Sequence, residues 1–408
     1  MNKHRIDELL NKYNFRTDYE RLTKEVFDSI TKDARLALEG TKTSIQMIDT
    51  RYLQPVSKTN ERVLTIDVGG TNTRKTIIAF DNEGHISSGE ISKTKTDLLM
   101  KGDFFENLAE FALPYTKDIT SIALCFSYPF SPTDDGDGII NAGAKGVEVT
   151  SLKNKPLVKT LIDRLEKKSM KGGVKGTVIN DAVASLFNLS LQDDDDDIKI
   201  GSILGTGCNV SIYIQKEGKR KAICTETGHA ALTSSILSKF DKYVDQETNA
   251  QGLSNFEGAT SGYYLFRLVR SILYKACEEN VFTGDEKQYV QSVADNLDEG
   301  YKIDNIFLSG TNENIKYIAD KVIHRASAIV GGMFSAFALL SKESRSEMAS
   351  NVSILIEGTT YYKTNNYKLY VENITREFLK PFGMDVKFYA PYEKEAPAIL
   401  LGTAISTL

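Results

Sequence analysis

One local pattern occurs twice in this chain, and the repeat narrows the folds open to it. Residues 63–67 form a short apolar strand pattern, Gly69-Gly70-Thr71-Asn72 is a turn, and residues 76–80 are the returning strand. Further along, residues 200–204, the turn Gly205-Thr206-Gly207 and residues 210–214 repeat it. Two glycine-turned hairpins in the two halves of a chain predict two related α/β domains with a cleft between them. Length agrees, since 408 residues exceed one ordinary core and suit two domains.

Strand and helix patterns alternate around the hairpins. The first forty residues read as helix, with Leu22, Val26, Phe27 and Ile30 at helical spacing and Gly40 as the stop. Strands are expected at 122–126 and 176–180, and helices at 157–165 and 182–189. The second half adds helices at 261–276 and 316–340, a strand at 352–357 and a C-terminal helix from near Pro397. The weakly polar run 326–340 is shorter than the ~20 residues a bilayer needs and reads as a buried core helix.

Composition excludes several function classes. Net charge is −5, from 50 basic and 55 acidic residues, so nothing electrostatic favours a nucleic-acid or anionic-membrane partner. Cys125, Cys208, Cys224 and Cys277 form no Cys-x-x-Cys pair, hence neither a disulfide framework nor a zinc pattern. They read as small buried hydrophobes of a cytoplasmic protein. The charged stretch 3–8 offers no apolar segment for a signal peptide. The five aspartates 193–197 repel one another and suit a solvated loop better than a cation site.

The chemistry has to be found without the commonest signatures. There is no Gly-x-x-x-x-Gly-Lys-Ser/Thr phosphate loop, no His-Arg-Asp catalytic loop and no Gly-x-Gly-x-x-Gly fingerprint. The few histidines form no readable metal site or Ser-His-Asp triad. What remains are glycine turns beside carboxylates and hydroxyls. Glycines let a backbone approach closely, and turn N–H groups can point at phosphate oxygens. Asp67 suits Mg²⁺ held through a water, and Gly69, Gly70, Thr71, Asn72 and Arg74 suit phosphate. Arg74 equally suits a surface charge on the second strand, and a Gly-Gly-Thr-Asn turn can be purely structural.

Asp67-Val68-Gly69-Gly70-Thr71-Asn72-Thr73-Arg74 resembles the first phosphate motif of hexokinases, members of the sugar-kinase/heat-shock-70/actin superfamily. Leu204-Gly205-Thr206-Gly207-Cys208-Asn209 looks like their second phosphate motif, and Ile354-Leu355-Ile356-Glu357-Gly358-Thr359-Thr360-Tyr361 is similar to their adenosine motif. Phe126-Ser127-Tyr128-Pro129 resembles the hexokinase sugar-binding segment, and Asn180-Asp181 the pair holding the catalytic aspartate. Thr225-Glu226-Thr227-Gly228 and Phe256-Glu257-Gly258-Ala259-Thr260-Ser261-Gly262 resemble the segments that supply sugar-binding glutamates. The motifs occur in family order from about residue 45 to the C-terminus.

The resemblance implies an α/β, two-domain actin-like ATPase (ribonuclease H-like) fold with a central cleft. The small domain is expected at 60–181 plus about 395–408, and the large one at 1–59 plus 182–394. It implies ATP and Mg²⁺ as cofactors, a hexose as substrate and phosphorylation of the 6-hydroxyl. Glucose is the first expectation, with mannose or fructose as alternatives. Asp181 is the expected general base; its structural alternative is an N-cap. Lys145 is expected near the sugar and the transferred phosphoryl. Ser127, Asn180, Asn209, Glu226 and Glu257 are expected to bind sugar hydroxyls, which must be paired once buried. Thr206 and Gly207 are expected at the phosphates, and Gly358, Thr359 and Thr360 at adenosine. Sugar binding is expected to close the cleft and exclude water. The expected assembly is a monomer or homodimer.

This chain departs from the family pattern in places. Ala144 and Ala182 stand where threonines are usual, Thr227 where an aromatic is common, and Asn249-Ala250-Gln251 where Asn-Pro-Gly is. The losses touch sugar preference more than catalysis, since one missing hydrogen bond costs ~1 kcal/mol. A chaperone-like ATPase and a non-catalytic sugar sensor are the competing readings. Ser127, Glu226 and Glu257 argue against the first. Asp181, Lys145 and both phosphate turns argue against the second.

Overall fold

The computed structural model describes residues 2–52, 60–128, 130–140, 152–192, 197–248, 251–298, 303–307, 310–345 and 350–408. The chain opens with two helices, α1 (Lys3–Lys12) and α2 (Tyr19–Leu38), where the sequence pattern predicts helix throughout. The break has a local cause. Asn14 takes the left-handed conformation, φ 57°, and the Phe15 N–H returns to the Leu10 carbonyl at 2.8 Å, which ends α1. Gly40, φ 85°, ends α2 as expected.

Next come β1 (Ile48–Tyr52), the hairpin strands β2 (Glu61–Val68) and β3 (Asn72–Phe80), and the short β4 (Ile86–Ser88) and β5 (Ser92–Lys95). Helices α3 (Thr96–Leu99) and α4 (Phe104–Ala112) lead to β6 (Ser121–Phe126) and a small ribbon of β7 (Ser131–Pro132) and β8 (Gly138–Ile139). Then follow α5 (Leu157–Lys167), β9 (Lys175–Ile179) and α6 (Asp181–Leu189). The second hairpin is β10 (Ile198–Leu204) and β11 (Cys208–Lys216), with β12 (Lys219–Cys224) after it. Helices α7 (Lys239–Gln246), α8 (Asn255–Thr260), α9 (Gly262–Glu278), α10 (Gly284–Asn296) and α11 (Glu313–Glu343) fill the next stretch. The chain finishes with β13 (Asn351–Glu357), α12 (Thr359–Lys363), α13 (Tyr367–Leu379), β14 (Asp385–Tyr389) and α14 (Ala398–Ile405).

The chain forms two compact units, one of residues 48–202, 211–224 and 389–408, the other of 1–47, 203–210 and 225–388. The division expected from sequence, at 60, 181 and 395, differs from this one. Residues 182–202 and 211–224 group with 48–181 because α6 packs on α14 and β1 pairs with β12. Neither contact is between neighbours in sequence.

In the first unit a sheet runs β4-β3-β2-β6-β9, with β5 beside β3. β2, β6 and β9 are parallel, aligned as Asp67↔Cys125↔Ile179. β6 is buried along its whole length, as a parallel strand covered on both faces should be. Leu64, Ile66, Leu124 and Phe126 meet Phe104, Leu108 and Leu161 of α4 and α5. Val63, Ala123 and Ile179, from the other face, cluster with Val183, Leu186, Leu400 and Leu401 of α6 and α14. The α6–α14 contact is close enough to need glycine: a Cβ on Gly402 would lie 1.8 Å from the Ala184 carbonyl oxygen. A second sheet has the strand order β1-β12-β11-β10-β13-β14.

The second unit is built on α11, which packs against α2 and α13. This helix is long and apolar enough to cross a membrane, yet it lies almost wholly inside the fold. Its one deep charge is Arg325. The guanidinium donates to both carboxylate oxygens of Asp241, at 3.0 and 2.9 Å, and to the Ile236 carbonyl. Asp241 also closes the capping box of α7 with Ser238.

Candidate functional site

The sequence-expected residues fall into two groups, one in each unit. In the first unit they sit at the carboxyl ends of the three parallel strands, where open α/β sheets bind ligands. Asp67 lies near the end of β2, Ser127 just beyond β6, and Asn180-Asp181 just beyond β9. The strand register therefore brings together residues more than a hundred positions apart. The Ser127 N–H donates to the Val68 carbonyl at 3.2 Å, which fixes the exit of β6 against β2. Asn180 is the N-cap of α6, and its Oδ1 accepts from the Ala182 N–H at 2.9 Å. Asp181, the first helical residue, accepts from the same N–H at 2.9 Å. Capping is thus shared, and Asp181 is not the sole group holding the helix start.

Asp67 is buried, and burial pushes its carboxyl up to about 7. The Arg74 guanidinium opposes that shift, the Asp181 charge adds to it, and a hydrogen bond from Cys125 lowers it. The Asp67 carboxyl thus feels a second carboxylate and one cation, a charge set that suits a hard divalent ion. A carboxyl that prefers its proton in the folded state stabilises fully below the unfolded value near 4, and that contribution is lost as pH rises through about 7. Asp67→Asn is expected to flatten that slope and to stabilise the apo chain at pH 8 by on the order of 2 kcal/mol. Denaturant midpoints across pH 4–8 measure it. An unchanged slope would show that Asp67 titrates normally.

The first turn is braced from outside the motif. The Gly69 N–H donates to the Asn72 carbonyl at 3.2 Å. Thr96 donates its hydroxyl to the Gly69 carbonyl at 2.8 Å and its N–H to the Thr71 carbonyl at 3.0 Å. Among the described residues nothing accepts from the Gly70 or Thr71 N–H. Thr71 is exposed and Arg74 half-buried. The sequence carries no signal for Thr96, which reaches the turn only because β5 pairs with β3.

The second unit holds the other group. The Gly205 N–H donates to the Gly207 carbonyl at 3.0 Å, which makes the tight turn. Among the described residues nothing accepts from the Thr206 or Gly207 N–H, and the Thr206 side chain is exposed. Two turns therefore offer outward amides of the kind that cradle phosphate. The Gly205 carbonyl takes the Thr360 hydroxyl and the Gly262 N–H, both at 2.8 Å. Gly358 has φ 127°, and a Cβ there would lie 2.3 Å from the Leu204 carbonyl oxygen. Only glycine lets the adenosine-type turn approach the phosphate-type turn so closely. Thr359 is exposed beside it.

Glu226 and Glu257 meet the same strand from different elements. Glu257, on α8, accepts from the Cys208 N–H at 3.1 Å. Glu226 accepts from Asn209 Nδ2 at 3.1 Å. Glu226 is left-handed, φ 51°, a conformation that costs a non-glycine residue ~1 kcal/mol or more. Asn209 Oδ1 in turn accepts from the Val210 N–H at 2.8 Å. Lys145 and Ala144 lie outside the described residues.

Comparison with known proteins agrees with this architecture. Two family models described as hexokinase match residues 6–191 and 199–393. "Hexokinase-4, chloroplastic" of Oryza sativa subsp. japonica is 25% identical over 81% of this chain and 72% of its own. "Hexokinase-1" of Saccharomyces cerevisiae is 27% identical over 57% of this chain, and the match spans about half of its own length, 53%. A solved hexokinase from Schistosoma mansoni, complexed with glucose, superposes with a TM-score of 0.73 at 19% identity, over 100% of both chains. The fold is therefore the two-domain actin-like kinase fold. With both family models matched, one after the other across most of its length, the chain belongs to the hexokinase family, enzymes that phosphorylate hexoses with ATP.

Proposed function

We propose that this chain transfers the γ-phosphoryl group of Mg-ATP to the 6-hydroxyl of a hexose, with glucose as the first substrate. The observation that carries the reading is Asp181 held at the start of α6, with the buried Asp67 close enough for its charge to be felt. In this reading one carboxylate takes a proton and the other holds a cation. Asp181 accepts the proton of the attacking hydroxyl. Ser127, Asn180, Asn209, Glu226, Glu257 and Lys145 bind and orient the sugar. The amides of the two glycine turns, with Thr71, Asn72, Arg74 and Thr206, receive phosphate oxygens. Gly358, Thr359 and Thr360 receive adenosine. Mg²⁺, when bound, neutralises charge on the β- and γ-phosphates, and Asp67 suits its hydration shell. Glucose is supported by the sugar bound in the Schistosoma mansoni structure. The four buried cysteine thiols support a cytoplasmic setting.

The test is coupled ADP release with Mg-ATP and a panel of glucose, mannose, fructose, glucosamine and N-acetylglucosamine. Turnover is expected only with sugar present and fastest with glucose. ADP release indifferent to sugar would overturn the proposal. Sugar binding without turnover would make the chain a sensor.

A further inference from the structure

Tyr362 places an exposed aromatic ring beside the turn assigned to adenosine. Thr359 and Tyr362 are three residues apart on α12 and so share one face of it. Both are exposed, whereas Thr360 and Tyr361 between them are buried. The Tyr362 side chain runs back toward the start of its helix, as helical side chains do. Its hydroxyl donates to the Ile356 carbonyl at 3.1 Å. The side chain therefore spans from residue 362 back to residue 356, alongside Gly358 and Thr359. The Tyr361 ring meets it edge-on, with centroids 4.9 Å apart at 79°. The Lys368 ammonium lies over one face, 5.4 Å from the centroid.

The ring is tethered at both ends and still 41% exposed. Packing holds part of the ring, while the part left in water gains the fold nothing from burial. It does provide a rigid flat surface, already in place, for a flat partner. We propose that the face of Tyr362 opposite Lys368 is the stacking platform for the nucleobase of the bound nucleotide. The inference rests on the kinase reading above and adds the residue that recognises the base. Every base has a π-face, so the ring raises affinity for nucleotides without choosing between adenine and guanine.

Calorimetric titration of the whole chain tests this, with ADP, GDP and inorganic tripolyphosphate as probes. Tyr362→Ala is expected to weaken ADP and GDP roughly tenfold each and to leave tripolyphosphate unchanged. Tyr362→Phe keeps the ring and loses only its tether, so it is expected to retain most of the affinity. Under turnover, Tyr362→Ala is expected to raise KM for ATP about tenfold with kcat nearly constant. Unchanged ADP affinity in Tyr362→Ala would overturn the inference and leave the kinase reading standing. Equal weakening of ADP and tripolyphosphate would also overturn it, because the loss would then belong to the turn and not to the ring. Failure of the unaltered protein to bind ADP would remove the kinase reading and this inference together.

Discussion

Asp181→Asn is expected to lower kcat for sugar phosphorylation by two to four orders of magnitude, the usual worth of a positioned general base. The amide keeps the shape and cannot take the proton. Sugar affinity should change only a few fold, because Ser127, Asn180, Asn209, Glu226 and Glu257 remain. The fold should also survive. Asn180 Oδ1 caps the same Ala182 N–H at 2.9 Å, so removing the Asp181 carboxylate leaves that donor satisfied. Stability is expected to fall by no more than ~1 kcal/mol. Steady-state rates, sugar titration and a denaturant midpoint on one preparation separate these effects. A kcat loss below tenfold, with the fold intact, would take the base role away from Asp181.

Asp241→Ala is expected to destabilise the chain by about 3–5 kcal/mol, the cost of leaving a buried charge without its partner. The side chains of Arg325 and Asp241 are 1% and 7% exposed, and the bond between them is two-pronged. Arg325 also stacks over the Phe15 ring at 4.7 Å, so the pair ties α7, α11 and the segment after α1 together. Arg325→Met should cost less, since it removes the buried charge and keeps much of the volume. Urea midpoints are the measurement. A loss below ~1 kcal/mol in Asp241→Ala would mean that water reaches Arg325 and replaces the carboxylate.

Much of the candidate site was legible because its parts are local. A glycine turn between two apolar strands is set by backbone freedom at a few adjacent residues, and both hairpins are present. Asn180-Asp181 reads as a strand-to-helix junction because cap chemistry involves neighbours within three positions. The core helix around 326–340 follows from its run of weakly polar residues and its length. The N-terminal pattern misled at Asn14, where one left-handed residue outweighs the apolar spacing on either side.

The sequence by itself determined the hairpins, the helix starts, the order of the motifs and the family they resemble, since each depends on residues close along the chain. Only the tertiary structure decided what those motifs meet. It set the Asp67 carboxyl within reach of the Asp181 charge, and it gave the first turn its brace from Thr96. It joined Glu257 to the Cys208 amide and placed Asp241 on Arg325. Each of these is a pairing across many residues, fixed by which faces of strands and helices are buried against one another. That choice belongs to packing of the whole chain, and no local pattern encodes it.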